Sequence, residues 1–399
     1  MASKWARRGA SWVAGMLGMV LSGLATAADW DLQPAASPVA AEIHTLHNYV
    51  MLLVIVIFVG VFGVMFYSVF AHRKSKGHKA AQFHENTTAE ILWTVIPAVI
   101  LVVIALPATK TVIWQKDTSN PDLTIKATGY QWKWGYDYVQ GEGKGIHFLS
   151  TLSTPEDQIV GKAPKDAHYL LEVDNPVVVP VNKKVRILTT AGDVIHSWWV
   201  PAFGVKQDAI PGIIRDTWFR ATRTGTFRGQ CAELCGKNHA FMPIVVKVVT
   251  QDQYDAWVKQ QQGQVASAAG EANKTWTLDE LKANGAKVYA ASCVACHQAN
   301  GEGIPGTFPP IAAGHPFQAA PQMLKELEDR GFYKDGKIVM GPVEHHVDIV
   351  LHGIPGTAMA PFGKQLSDAD IASVITYERN SWGNSGGAVQ PAEVKALRK

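Results

Sequence analysis

Cysteine is scarce in this chain, with four residues in 399, and none falls outside two short clusters, 231–235 and 293–296. No odd thiol is therefore left over. Charge is nearly balanced at a formal net +3, too small an excess to argue for nucleic acid. No Lys/Arg-rich block exists outside the short 73–79 stretch. No nucleophile, general base or open metal position is apparent, which argues against a substrate pocket. No internal repeat is found, so a typical domain size of roughly 150 residues suggests two or three folded units.

What the sequence does contain begins with a targeting pattern. Residues 1–28 have a basic start (Lys4, Arg7, Arg8), an apolar run at 12–24 and Ala25-Thr26-Ala27 before Asp29. This predicts a secretory signal peptide cleaved after Ala27 or Ala28, because the run is shorter than the roughly 20 residues needed to span a bilayer. Two longer uncharged runs, 49–70 and 91–109, predict membrane helices over about 46–70 and 88–112. Their sides offer no polar face, which disfavours two buried core helices. Arg73, Lys74, Lys76 and Lys79 lie between them and mark a cytoplasmic loop, placing everything after Ile113 outside.

Residues 123–250 read as short β-branched and aromatic runs broken by Gly, Pro and Asn/Asp: 124–128, 169–173, 177–190, 198–203, 217–221 and 244–249. An antiparallel sandwich or barrel is expected over 119–250, following an N-terminal segment and hairpin at 29–118. A short helix at 252–262 leads into a small-residue stretch, 263–272, read as a flexible linker within 251–275. The pattern is helical again over 276–383, with Thr277/Glu280 and Ser367/Asp370 as N-terminal caps and a last helix at 368–382. Residues 384–399 read as a loose tail.

The two cysteine clusters carry the chemistry. Cys231 and Cys235 are followed by His239 and Met242, a soft thiolate, imidazole and thioether set that selects copper over hard cations. A second imidazole must come from elsewhere, and His196 at a strand start is the natural candidate. A disulfide or a zinc site is the alternative. Cys293-Val-Ala-Cys296-His297 is the pattern of covalent haem c attachment, with His297 as axial ligand. Zinc would need a second ligand pair, and the sequence has none. Met359 is the expected sixth ligand; Met323 and Met340 are less well placed.

In the order hairpin, 129–138 with Trp132 and Trp134, His196-Ser197-Trp198, 206–212 and the 231–242 loop, the chain resembles subunit II of the haem-copper cytochrome c oxidases. The appended haem motif makes it resemble the caa type. That resemblance implies a cupredoxin-like sandwich holding a binuclear CuA centre, followed by an all-α class I cytochrome c domain. It implies that Cys231 and Cys235 bridge two copper ions, with His196, His239, Met242 and the Glu233 carbonyl completing the set. Trp132 would be where electrons reach the copper, against a plainer reading as sandwich packing. Glu90 would lie near the mouth of a proton path. The Glu233 side chain would reach a magnesium ion shared with subunit I, near Asp208, and the Pro309 carbonyl would orient His297. Subunit I, subunit III, an external donor such as a cytochrome c and a bacterial inner membrane, with the later domains on its periplasmic side, are the implied partners and location. Oxygen would be reduced to water, with proton pumping, in subunit I. Two rivals stand: the matching subunit of a CuA-containing nitric oxide reductase, and a copper delivery or assembly protein, against which the haem motif counts.

Overall fold

The computed structural model describes residues 31–79, 82, 84–271, 273–354, 357, 359–363 and 365–398. The expected signal peptide lies outside them. Helix α1, Pro38–Ala71, and helix α2, Thr87–Gln115, form the hairpin. At 34 and 29 residues they reach roughly 50 and 44 Å at 1.5 Å per residue, more than a hydrocarbon core requires. Their apolar side chains are exposed all round, a surface suited to lipid and not to water. Asn86 caps α2, accepting from the Ala89 amide at 3.0 Å, and Glu90 sits exposed in the first turn. The start of α1 is tied to the next domain, for Ser37 caps α1 and donates its hydroxyl to the Phe203 carbonyl at 2.7 Å.

That domain is a two-sheet sandwich. Its strands are β1 Leu123–Tyr130, β2 Lys133–Gln140, β3 His147–Ser150, β4 Val177–Pro180, β5 Lys184–Ala191, β6 His196–Val200, β7 Val205–Ala209, β8 Arg215–Arg220, β9 Gly225–Cys231 and β10 Pro243–Val249. The one-turn helix α3, Glu156–Ile159, lies between β3 and β4. One sheet runs β3-β2-β1-β5-β8 and the other β4-β10-β9-β6-β7. Pairing is antiparallel except for β1 with β5 and β4 with β10, which are parallel. Trp134, Trp198, Tyr136, Phe203 and Phe219 fill the space between the sheets, the last two stacked 4.3 Å apart. The expected strand at 169–173 is a turn, because Leu170 takes φ 59° and only Val173 bridges to Leu152. The run 177–190 divides between the two sheets at a left-handed Asn182, after Pro180, which has no N–H to extend a ladder.

Asp216 fastens α2 to this sandwich. Its carboxylate accepts from Thr118, just beyond the helix, at 2.7 Å and from Arg186 on β5 at 2.8 Å. Burial raises its pKa, but those two donors outweigh burial and hold it below the ordinary value. A depressed carboxylate stabilises the fold above its unfolded pKa and loses that contribution as pH falls through the folded value. Asp216→Asn should therefore cost about 1 kcal/mol at neutral pH, and the gap to wild type should close below roughly pH 4; thermal melts across pH measure both.

Helix α4, Gln251–Glu271, replaces the expected flexible linker. Gln and Ala favour the helix, and Gly263 and Gly270 cost only about 1 kcal/mol each. The C-terminal domain comprises α5 Leu278–Ser292, α6 Val294–His297, α7 Pro321–Asp329, the hairpin β11 Tyr333–Lys334 and β12 Lys337–Ile338, α8 Val343–His352, α9 Asp368–Glu378 and α10 Pro391–Leu397. Both expected capping boxes are present, Thr277 with Glu280 and Ser367 with Asp370. α5 and α9 cross at Gly285, where an added Cβ would lie 2.1 Å from the Ser373 carbonyl oxygen. α9 ends at Glu378, earlier than expected, and Trp382 folds back to donate to the Ala299 carbonyl at 3.2 Å. The expected loose tail is a packed helix, with Val389 and Val394 buried and Gln390 bonded both ways to the Trp276 backbone at 3.0 Å.

Candidate copper and haem sites

At one end of the sandwich, three segments meet. His196 opens β6 and is fully buried; Cys231 closes β9; and a loop carries Glu233, Cys235, His239 and Met242 back to β10. The two sulfurs are free and 3.8 Å apart. The Met242 thioether lies 3.2 Å from His196 Nδ1 and 3.5 Å from Cys235 Sγ. His239 Nδ1 stands 3.4 Å from Cys235 Sγ, and the Glu233 carbonyl accepts from Cys231 Sγ at 3.3 Å. All six expected groups thus converge, and the donor set is sulfur and imidazole, with one carbonyl. Soft donors of this kind fit copper. The arrangement leaves a disulfide unformed.

Two supports were not legible in the sequence. Asp193, only 5 % exposed, accepts from His196 Nε2 at 2.8 Å. Burial pulls the His196 pKa down, but Asp193 and Cys231 together outweigh it and the net shift is upward. The proton is held on Nε2, leaving the Nδ1 lone pair for the sulfur cluster. Asp193 also accepts from the Gln131 amide at 2.7 Å, so this acidic residue faces inward and offers no charge to a soluble donor. Asp137 is paired with Lys126 at 2.8 Å. The second support is Gly129, where a Cβ would sit 2.7 Å from the His196 ring. Gly129→Ala should displace that ring and cost about 1–3 kcal/mol by overpacking, with copper bound per chain falling in metal analysis. The Cys231–Cys235 hydrogen bond lowers the Cys231 pKa and raises that of Cys235.

The C-terminal domain encloses a cavity of about 160 Å³, open on one side. Cys293, Cys296, His297 and Met359 line it, among apolar walls that include Phe308 and Leu327. His297 Nδ1 bonds to the Pro309 carbonyl at 2.9 Å, and burial lowers its pKa, favouring the neutral ligand form. His346 Nδ1 and Arg379 Nε, buried on two lining residues, have no hydrogen-bond partner among the described residues. Two thiols, an oriented imidazole, apolar walls and orphaned polar atoms together fit a covalently held haem. Met323 and Met340 line the cavity as well. If Met359 is the sixth ligand, Met359→Ala should lower the haem potential and alter its spectrum; a redox titration with unchanged values would move the ligand to one of the other two.

Trp132 spans the two sites. Its indole N–H donates to the Cys235 carbonyl at 3.2 Å, and its ring stands edge-on to Phe308 with centroids 6.3 Å apart. Gln131 holds the same carbonyl at 2.8 Å.

Comparison with known proteins bears on three stretches of the chain. Residues 123–249 match the family described as cytochrome C oxidase subunit II, periplasmic domain, and 25–111 match its transmembrane domain. Residues 280–377 match the family described as cytochrome C oxidase, cbb3-type, subunit III. Cytochrome c oxidase subunit 2 of Cereibacter sphaeroides is 43% identical over 58% of this chain and 80% of its own. The Branchiostoma floridae counterpart is 44% identical over 59% of this chain and 96% of its own. The solved periplasmic domain of cytochrome oxidase subunit II from Bradyrhizobium japonicum is 48% identical over 37% of this chain and 98% of its own, with a TM-score of 0.33. On these matches, which take in the hairpin and the sandwich alike, the chain belongs to the cytochrome c oxidase subunit II family.

Proposed function

We propose that this chain is the electron-transfer subunit of a terminal oxidase in a bacterial inner membrane. It takes electrons from an external donor such as a cytochrome c and delivers them to subunit I, where oxygen is reduced to water with proton pumping; subunit III completes the complex. Copper held as a binuclear CuA centre and a covalently attached haem c would supply two one-electron carriers. Cys231, Cys235, His196, His239, Met242 and the Glu233 carbonyl would hold the copper, supplying thiolate, imidazole, thioether and carbonyl donors. Cys293, Cys296, His297 and Met359 would hold the haem, the two thiols by covalent attachment and the imidazole and thioether as ligands to its iron. The exposed Glu233 carboxylate is free to reach a magnesium ion shared with subunit I, and Asp208, bonded to Ser197 at 3.0 Å, lies on the neighbouring strand. Glu90, in the first turn of α2, would lie near the mouth of a proton path.

The chain's own residues serve this by staying still. Loops set on a packed sandwich and an Asp193-oriented imidazole resist rearrangement when charge arrives. One observation carries the reading: Trp132 touches the Cys235 backbone on one side and the haem-cavity wall at Phe308 on the other. A copper delivery protein has no use for that bridge. Metal content and oxygen uptake of the purified complex test the proposal: copper and haem with oxygen consumption supports it, nitric oxide consumption in its place favours the reductase, and exchangeable copper without haem favours delivery.

A further inference from the structure

Lys133 opens β2 immediately after Trp132, yet its side chain leaves the sandwich altogether. The ammonium donates to the Ser292 carbonyl at 3.2 Å and lies 4.5 Å from the centroid of the Phe362 ring. Both partners belong to the C-terminal domain. Lys133 is only 8 % exposed and lines the same cavity as Cys293, Cys296 and His297. Lysine is almost never so buried without an anionic partner, and among the described residues no carboxylate forms an ion pair with it. What it meets instead is the last carbonyl of α5, where the helix macrodipole is negative, and an aromatic face.

We propose that Lys133 is the positioning residue that seats the cytochrome domain on the copper domain beside Trp132, and that its charge ties this seating to the oxidation state of the haem. This rests on the reading of 293–297 as a haem attachment site. The pin and the conduit are adjacent residues on one segment, so holding Lys133 against α5 also fixes how closely Trp132 approaches Phe308. An oxidised haem carries one more positive charge than a reduced one. The nearby ammonium, in a cavity of low dielectric, repels the oxidised form more strongly. The domain therefore seats more tightly when reduced and loosens once its electron has passed to copper, freeing it to meet its donor. By linkage, the seated domain holds its haem at a higher potential than the unseated one.

The test uses the purified full-length complex with Lys133→Met and Lys133→Arg. Burial holds the Lys133 pKa below the ordinary lysine value, which makes Arg, always charged, the informative control. Expected for Lys133→Met are a lower haem c potential in redox titration and haem-to-copper transfer slowed roughly tenfold, with the haem spectrum unchanged; Lys133→Arg should recover both. An unchanged potential in Lys133→Met overturns the redox linkage, and an unchanged rate overturns the positioning role. If the Met variant fails to assemble, hydrogen exchange on the wild-type complex decides. Greater protection at the end of α5 in the reduced state supports the inference, and equal protection in both states overturns it. A wild-type chain that carries no covalent haem would overturn the underlying reading, whereas a haem-loaded chain indifferent to Lys133 would overturn this inference alone.

Discussion

Replacing Cys231 with alanine is expected to abolish the copper centre while leaving the haem in place. Cys231 closes β9 and its sulfur touches Cys235, the His196 ring and the Glu233 carbonyl. Under the proposed function, Cys235 alone would not hold the copper. Copper per chain should fall towards zero, and electron delivery beyond the haem should fall to background. This exceeds the roughly 10- to 100-fold cost of losing an outer supporting group. The sandwich should survive, since removing one small sulfur from a core that includes Trp134, Trp198 and Phe219 costs no more than about 3 kcal/mol. Metal analysis and rapid-mixing kinetics read the two effects separately. Copper retained at the wild-type level would mean that the cluster is not the binding site.

Trp132→Ala is the second large effect, and it acts on rate alone. Alanine removes the indole that donates to the Cys235 carbonyl and the ring that faces Phe308. With the bridge gone, haem-to-copper transfer should slow on the order of 100-fold, the scale on which an ångström of misplacement is felt. Both cofactor spectra and both potentials should stay as they are, which separates Trp132 from Lys133. Trp132→Phe, which keeps a ring and loses the N–H, should fall between. A wild-type rate in Trp132→Ala would reduce this residue to sandwich packing.

The sequence made these sites legible where their residues are local. The 231–242 loop and the 293–297 turn each hold most of a ligand set within a few positions, so spacing alone exposes the chemistry. Caps at Thr277 and Ser367 were equally readable, because a capping box is completed within one turn. Supports that arrive from far along the chain were not readable. Lys133 meets Ser292 across 159 positions, and no pattern near Lys133 distinguishes it from a solvated strand residue. Asp193 reaches the copper site only once β6 brings His196 against its carboxylate, which no local pattern in the sequence announces. Composition misled at 263–271, where small residues suggest flexibility yet also favour a helix. The tail at 384–399 was misjudged because Val389 and Val394 bury themselves only once α5 and α9 are in place.

The central claim is that one polypeptide holds a haem and a copper pair as permanent electron carriers. Iron and copper content of the purified, fully matured full-length protein tests it most directly. The account predicts about one haem iron and two copper ions per chain, the iron remaining with the denatured polypeptide because thioether bonds hold its porphyrin. A chain free of iron, or one holding copper in no fixed ratio, would contradict it.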